Sequence, residues 1–223
     1  MSPDGHVLKV EGIQIETLVL GPLETNGYVL RAGGECWVVD PGWPGVLPRH
    51  LRRNGLSPSR ILLTHGHGDH IAGVAELKAA FPECLLCCPA ADAAMLGDPE
   101  RNLSGLFGMP IAAPPAEELL QPGQTLRLGP AEWTVLDTSG HTPGGASFYC
   151  PQARAVLTGD SLFAGSIGRT DLPGASASRL VRNIRLRLWV LPDDTKVLAG
   201  HGPASTIGVE KAANPFLSEG RAP

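Results

Sequence analysis

Three histidines and an aspartate fall within one short segment of the chain. The segment is residues 64–70, with the sequence THGHGDH, and it directly follows the apolar stretch 61–63. On a helix, two residues two positions apart point about 200° away from each other, so His65 and His67 could not bind the same ion there. The two glycines between the histidines favour a loop, because glycine adopts backbone angles that let neighbouring side chains converge. We interpret the segment as a metal-binding loop that leads into a helix beginning near Asp69 and His70.

Three more ligand-type side chains each follow a strand-like apolar run. They are His141, Asp160 and His201, and the runs before them are 133–136, 156–157 and 197–199. Loops at the ends of rigid strands are common positions for functional residues, so we expect these side chains to join the first cluster. Five of the seven histidines are used in this way. We assign the other two, His6 and His50, to surface or structural roles.

Short apolar stretches separated by turn residues predict the elements that position this cluster. The predicted strands are 13–20, 26–31, 35–39, 61–63, 85–88, 125–128, 133–137, 146–149, 155–157 and 196–199. The predicted helices are 46–54, 70–81, 90–96 and 177–190. Residues 98–124 show no regular period, which is typical of a cover over a site. Strands that run together and then alternate with helices predict an α/β fold of two sheets with helices packed outside.

Composition indicates a folded protein without a general affinity for polyanions. The chain has 223 residues, 43% hydrophobic and 18% charged, with a formal net charge of −4. That length and apolar content predict a single domain spanning residues 1–223. The charge balance argues against nucleic acid and membrane surfaces as partners. The first residues lack the basic and apolar regions of a signal peptide, and no long apolar run follows, so we expect a cytoplasmic protein.

The cysteines are interpreted as free, buried thiols. Their number is odd, and they are Cys36, Cys84, Cys87, Cys88 and Cys150. The two-residue spacing of Cys84 and Cys87 is also found in metal knuckles and redox pairs, but no second pair accompanies it. Since a chain of this size does not need disulfides to fold, small hydrophobic side chains on a strand are the favoured interpretation.

Taken together, the ligand-type residues resemble the pattern of the metallo-β-lactamase superfamily, over nearly the whole chain. The shared features are the His-x-His-x-Asp-His stretch, a later histidine, an aspartate and a final histidine. The resemblance implies an αββα sandwich: two mixed β-sheets with helices on the outer faces and a metal centre at one edge. It implies that His65, His67 and His141 hold one metal, that Asp69, His70 and His201 hold a second, and that Asp160 lies between them.

Several shorter stretches are similar to the small glyoxalase II-like, or hydroxyacylglutathione hydrolase-like, branch of that superfamily. These stretches are 159–163, 168–173, 201–206 and 214–217. The resemblance implies a thioesterase that acts on S-D-lactoylglutathione or a related small-molecule acyl thioester.

The implied centre has a definite chemistry. Imidazole and carboxylate ligands without thiolates suit two divalent ions, with zinc favoured and iron or manganese also admitted. The ions, two carboxylates and a bridging hydroxide leave a net positive charge, which stabilises negative charge developing on a substrate. A metal also lowers the pKa of bound water from about 15.7 to about 7, so the metal-bridging hydroxide can attack the carbonyl. Asp69 is the expected catalytic residue, since it can orient this nucleophile or take its proton.

Two further side chains lie close to the ligand positions in the sequence. Asp40 ends the predicted strand 35–39 and is interpreted as supporting the ligands or forming a turn. Arg169 is a candidate for substrate binding, because it could hold an anionic group. The alternative is that Arg169 pairs with Asp171 and braces its own loop.

Two other activities remain open for the same centre. The region 168–171 also resembles persulfide dioxygenases, which hold one iron through positions matching His65, His141 and Asp160. Those enzymes read His-Asp-Tyr where this chain reads HGP at 201–203, which favours the hydrolase. Hydrolysis of a lactone or phosphodiester is the third possibility, because the metal ligands do not select the leaving group.

Overall fold

Two β-sheets packed face to face form the centre of the computed structural model, which describes residues 7–217. His6 therefore lies outside the described residues. The first sheet has seven strands in the order of the sequence. They are β1 (Val7–Val10), β2 (Ile13–Leu20), β3 (Thr25–Ala32), β4 (Glu35–Val39), β5 (Arg60–Leu62), β6 (Leu85–Pro89) and β7 (Glu118–Leu120). Strands β1 to β4 form an antiparallel meander, and β4 to β7 are parallel.

The second half of the chain forms the second sheet and a small hairpin. Its strands are β8 (Thr125–Leu128), β9 (Ala131–Asp137), β10 (Ala146–Cys150), β11 (Ala155–Gly159), β12 (Leu162–Phe163), β13 (Ser166–Ile167), β14 (Lys196–Ala199) and β15 (Ser205–Thr206). The sheet order is β15-β14-β11-β10-β9-β8, and β12 pairs with β13 alone. Strands β11 and β14 are parallel, so both deliver their carboxyl ends to the same edge.

Helices cover the outer face of each sheet. They are α1 (Val46–Arg53), α2 (Gly68–Ile71), α3 (Val74–Ala80), α4 (Ala177–Arg187) and α5 (Ile207–Ala213), with 3₁₀ turns at Ala90–Met95 and Ser104–Phe107. Apolar residues of α1 and α3 pack on the outer face of the first sheet, and those of α4 and α5 pack on the second. No helix among the described residues is long and apolar enough to cross a membrane.

The main core lies between the two sheets. The alternation of strand side chains sends one set inward, where Trp37 of the first sheet packs in the same cluster as Trp133 and Phe148 of the second. All three side chains are buried, and each buried large side chain contributes about 2 to 3 kcal/mol through the hydrophobic effect. This packing fixes the two sheets against each other and therefore fixes the loops at their shared edge.

The predicted α/β fold of two sheets with helices outside is confirmed, with local corrections. The predicted helix 70–81 is two helices, α2 and α3, because the Gly73 N–H donates to the Pro41 carbonyl at 2.7 Å instead of continuing the helix. The predicted helix 90–96 is a 3₁₀ turn, and the predicted helix 177–190 ends at Arg187. The stretch 98–124 contains the short strand β7, which pairs with β6.

Candidate metal centre

The ligand-type side chains meet where the carboxyl ends of strands from both sheets come together. His65 and His67 follow β5, His141 lies between β9 and β10, Asp160 follows β11, and His201 follows β14. Asp69 and His70 lie in α2, directly after the loop. The structure thus places all seven side chains named from the sequence in one region.

Backbone hydrogen bonds join the two sheets at this edge. The Ala146 N–H donates to the Thr64 carbonyl at 2.9 Å, which connects β10 to the first ligand loop. The Asn26 N–H donates to the Gly200 carbonyl at 2.7 Å, which connects β3 to the end of β14. These bonds link the loop before His65 and the residue before His201 to elements of the opposite sheet.

Three groups of side chains are close enough to hold an ion. Within each group, one ligand atom from each residue lies within 4.8 Å of the others. The groups are His65 with His67 and His141, His65 with His70 and Asp160, and Asp69 with His70 and His201. The first and third groups match the two ligand sets implied by the sequence resemblance, and Asp160 lies between them.

Two rings of the first group, those of His65 and His141, are oriented by hydrogen bonds on their outer side. The Nδ1 atom of His141 lies 2.8 Å from the Arg169 carbonyl and donates to it, which leaves Nε2 with a free lone pair. This Nε2 lies 2.9 Å from Nδ1 of His67. The Nδ1 atom of His65 lies 3.0 Å from the Thr64 hydroxyl, so its Nε2 faces the same space. Imidazoles that bind metals are generally held in this way by a partner on the second nitrogen.

The second group is oriented in the same manner. The Nδ1 atom of His70 lies 2.9 Å from Oδ2 of Asp40, and Nδ1 of His201 lies 3.0 Å from the Leu23 carbonyl. Both rings therefore present Nε2 to the centre. Oδ2 of Asp69 lies 3.2 Å from Nε2 of His201 and 3.7 Å from Nε2 of His70. Asp40 was interpreted from the sequence as supporting the ligands, and its contact with His70 is of that kind.

Asp160 faces both groups with different oxygen atoms. Its Oδ2 lies 3.6 Å from Nε2 of His141 in the first group. Its Oδ1 lies 3.3 Å from Nε2 of His70 and 3.7 Å from Nε2 of His201 in the second. Gly200 makes room for this carboxylate, because a Cβ atom at that position would overlap Oδ1. The arrangement is that of a carboxylate able to bridge two ions.

Several buried polar atoms of the centre have no hydrogen-bond partner, which indicates whether these residues fit metal ions. Nε2 of His65, Nε2 of His70 and Oδ1 of Asp160 are buried and make no hydrogen bond, although His70 and Asp160 are within ion-pair distance. Buried polar atoms without partners cost about 1 to 3 kcal/mol each, so such atoms are rare in folded proteins. Here the three converge on one space and carry the donor types that divalent ions prefer. The residues fit the metal ions that the fold implies.

Burial controls the charge of the first group. Burial, followed by repulsion from His70, holds the pKa of His65 well below its usual range. Burial and the adjacent His141 likewise lower the pKa of His67 to about 3. Both imidazoles are therefore neutral at physiological pH, and the neutral form is the one that binds a metal.

Carboxylates control the charge of the second group. Burial favours the neutral form of His70, but the surrounding Asp160, Asp69 and Asp40 carboxylates raise its pKa well above its usual range. Burial also favours a protonated Asp69, but His70 and the hydrogen bond from His201 hold the pKa of Asp69 below its usual range. The pKa of Asp160 is lowered against the effect of burial, chiefly by His70. The Asp69 and Asp160 carboxylates are therefore ionised at physiological pH, and their negative charge attracts cations.

Asp92 is a supporting residue that the sequence reasoning missed. Its buried carboxylate accepts hydrogen bonds from the Gly66 N–H at 3.1 Å, the Thr142 hydroxyl at 2.7 Å and the Gly144 N–H at 2.6 Å. It therefore ties the loop of His65 and His67 to the loop of His141. No spacing relates Asp92 to the ligand motif, so only its place in the three-dimensional structure identifies it.

The remaining named residues lie outside the group of ligands. Arg169 lies at the wall of the adjacent cavity, and its guanidinium binds both carboxylate oxygens of Asp171 at 2.8 Å. This pair favours the loop-bracing alternative, and substrate binding by Arg169 stays a prediction. His50 lies on α1, where its Nε2 is 3.1 Å from Glu16. All five cysteines are free and buried.

A two-sheet sandwich with this set of imidazoles and carboxylates at one edge defines a metal-binding protein of the metallo-hydrolase class. The family model described as "Metallo-beta-lactamase superfamily" matches residues 20–201. The chain belongs to the metallo-beta-lactamase superfamily, and this membership supports a metal-dependent hydrolase.

Two relatives are similar over almost the whole chain. "Probable metallo-hydrolase YqgX" of Bacillus subtilis (strain 168) is 37% identical over 201 residues, which cover 89% of this chain and 95% of the relative. "Hydroxyacylglutathione hydrolase GloC" of Haemophilus influenzae is 36% identical over 216 residues, which cover 96% and 97% respectively. The second match supports the glyoxalase II-like branch.

Solved structures of similar sequence have the same fold. BLEG-1 B3 metallo-beta-lactamase superposes with a TM-score of 0.86 at 38% identity, covering 92% of this chain and 99% of that one. TTHA1623 in a di-iron-bound form superposes with a TM-score of 0.81 at 38% identity, covering 90% and 99%.

Proposed function

We propose that the protein is a binuclear metal-dependent hydrolase that cleaves a small-molecule acyl thioester. The observation that carries the proposal is the position of Asp160, whose two oxygens face two different groups of ligand-type side chains. A single metal would need only one of these groups. The similarity to a hydroxyacylglutathione hydrolase supports thioester chemistry, and the di-iron form of a similar structure supports two ions.

The side chains of the centre divide into holding and orienting roles. His65, His67 and His141 would hold one ion, Asp69, His70 and His201 the other, and Asp160 both. Divalent ions at these positions supply Lewis acidity, which activates water and polarises a carbonyl. Asp69 lies at the wall of the adjacent cavity, where its carboxylate can orient the attacking water or accept its proton. Zinc is the favoured metal, with iron or manganese also admitted by this ligand set.

The reaction adds water across the carbon–sulfur bond of the substrate. The oxygen of water forms a new bond to the carbonyl carbon, the carbon–sulfur bond breaks, and the sulfur leaves as a thiolate that takes a proton. The products are a carboxylic acid and a thiol. The rings of His141 and His201, which face the cavity, are fixed on their outer nitrogens, so these two side chains hold their positions without reorganising during the reaction.

Metal analysis combined with a substrate panel tests the proposal. Protein loaded separately with zinc, iron and manganese is assayed for metal content and for hydrolysis of thioesters, lactones, phosphodiesters and a β-lactam, with oxygen uptake followed on glutathione persulfide. We expect two ions per chain and thioester hydrolysis as the fastest reaction. One iron per chain with persulfide-dependent oxygen uptake would instead establish the dioxygenase.

A further inference from the structure

An apolar cavity of about 390 Å³ opens directly onto the candidate metal centre. Its wall includes five of the seven ligand-type side chains: His67, Asp69, His141, Asp160 and His201. A molecule bound there would contact the reacting centre. The volume is within the range of about 300 to 1,000 Å³ that small-molecule sites occupy.

The rest of the cavity wall is mostly hydrophobic and comes from separate parts of the chain. The larger apolar side chains include Leu23, Trp43, Leu103, Leu106, Met109 and Ile111. Leu23, Leu106 and Met109 are 53%, 67% and 46% exposed, so their apolar surface faces solvent at the cavity. A cavity lined mostly by apolar side chains is typical of a small-molecule binding site. Because the cavity adjoins the candidate metal centre, a group that occupies the cavity belongs to the substrate.

Charged groups in the wall do not suit a substrate with several carboxylates. Apart from the histidines of the candidate centre, Arg169 is the one basic side chain among the residues that line the cavity, and it is paired with Asp171 through two hydrogen bonds of 2.8 Å. The pair has no net charge. Glutathione carries two carboxylates away from its sulfur, and apart from the proposed metal ions this wall offers no second cation to bind them.

We propose that the substrate carries an apolar acyl chain next to its scissile carbonyl, and that this chain occupies the cavity beside Leu106 and Met109. The inference rests on the proposed thioesterase function and selects, within it, apolar acyl thioesters over S-D-lactoylglutathione. Hydrolysis then releases a medium-chain carboxylic acid and a thiol.

A chain-length series tests the inference. Butanoyl, hexanoyl and octanoyl thioesters of N-acetylcysteamine share one uncharged thiol, so only the acyl chain differs. Because burial of a methylene contributes about 0.8 kcal/mol, kcat/KM should rise about fourfold for each methylene, or about two orders of magnitude from butanoyl to octanoyl. We expect kcat/KM for the octanoyl thioester to exceed kcat/KM for S-D-lactoylglutathione. A flat or falling series would overturn the inference.

A binding measurement separates failure of this inference from failure of the thioesterase proposal. Calorimetric titration of the metal-loaded protein with butanoate and octanoate compares two ligands that share a carboxylate. Tighter binding of octanoate by about two orders of magnitude supports the apolar site even if no thioester is hydrolysed, in which case only the thioesterase proposal fails. Equal affinities would overturn the inference, whatever the activity.

Two leucine variants test whether the acyl chain of the substrate lies in the cavity. Leu106→Ser removes an exposed apolar side chain from the wall, and it should lower kcat/KM for the octanoyl thioester about tenfold more than kcat/KM for the butanoyl thioester. Leu119→Ser is the matched control, since Leu119 is 51% exposed on β7 and does not line the cavity. The control should keep the full preference for octanoyl. Equal effects of the two substitutions would contradict the assignment.

Discussion

Replacement of Asp40 by asparagine should disturb the second group of ligands while leaving the fold intact. Asp40 is buried directly after β4, and its carboxylate accepts three hydrogen bonds. Oδ1 accepts from the Thr64 N–H at 2.8 Å, while Oδ2 accepts from the Thr64 hydroxyl at 2.6 Å and from Nδ1 of His70 at 2.9 Å. The backbone φ of +47° is tolerated by asparagine as well as aspartate, so the substitution adds no new strain.

Neither orientation of an asparagine amide satisfies all three donors. If the amide oxygen faces His70, the NH₂ group faces the Thr64 N–H and two donors oppose each other. If the amide is flipped, the NH₂ group faces Nδ1 of His70, which must then accept and carry its proton on Nε2. That nitrogen faces the metal centre. The Asp40→Asn substitution thus either leaves a buried donor unpaired or blocks a metal ligand.

The expected cost follows from these two outcomes. An unpaired buried donor lowers the free energy of unfolding by about 1 to 3 kcal/mol. Loss of a supporting contact to a metal-binding imidazole lowers metal affinity by about 10- to 100-fold. We therefore predict that Asp40→Asn weakens binding of one of the two ions by that factor.

Chelator competition and urea unfolding measure these two effects. The matched control is Asp194→Asn, the same chemical change at an exposed carboxylate that pairs with Arg154. The control should change metal affinity and stability little, because exposed ion pairs contribute about 0 to 1 kcal/mol. Wild-type metal affinity for both ions in Asp40→Asn would refute the orienting role of Asp40.

Three other predictions concern the surroundings of the centre. Asp92→Asn leaves one of its three donors unpaired and should lower the free energy of unfolding by about 1 to 3 kcal/mol in urea titrations; unchanged stability would show that Asp92 does not tie the two loops. Gly200→Ala places a methyl group where it overlaps Oδ1 of Asp160, and it should abolish tight metal binding in chelator competition. The control Gly97→Ala should bind metal normally, because the atom nearest to its new methyl group is 4.0 Å away. Equal metal affinities of the two variants would refute the crowding at Asp160. Burial raises the pKa of Cys36 and Cys87 to about 11, so the folded protein keeps thiol protons that the unfolded chain loses as pH rises above about 9. The free energy of unfolding from urea titrations should therefore hold below about pH 9 and fall between about pH 9 and 11, by up to about 3 kcal/mol per thiol. A Cys36→Ala variant should lose less stability over this range, and equal losses in the two proteins would contradict the assignment.

The ligand cluster could be predicted because the types of its residues and their spacing in the sequence indicate metal binding. Histidines two residues apart, separated by glycines and preceded by an apolar strand, have few structural uses other than convergence on an ion. His141, Asp160 and His201 could be added because each follows a strand, and strand ends of a packed sandwich meet at one edge. The two-sheet fold followed from the order of apolar stretches.

Other features depend on contacts that no linear pattern carries. Asp92 supports the centre through hydrogen bonds to Gly66, Thr142 and Gly144, which are distant from it in sequence. The break between α2 and α3 arises from a bond between Gly73 and Pro41, while the periodicity of 70–81 is helical throughout. The short strand β7 has three residues and forms only because β6 offers an edge for pairing.

The cavity wall illustrates the same limit for function. Leu106 and Met109 belong to a stretch without a period, so their sequence indicated a cover but not its chemistry. Only the structure shows that their apolar side chains line the cavity with Trp43 and the ligand-type residues. The pairing of Arg169 with Asp171 was one of two alternatives until their distance was known.

The metal content of Asp160→Ala, measured together with its thioesterase activity, tests the central claim most directly. Asp160 is the side chain whose two oxygens face both groups of ligands. Wild-type protein should bind two ions per chain, and Asp160→Ala should lose the second ion and its turnover, while the control His50→Ala keeps both. An Asp160→Ala protein with two ions and a near-normal rate would contradict the account.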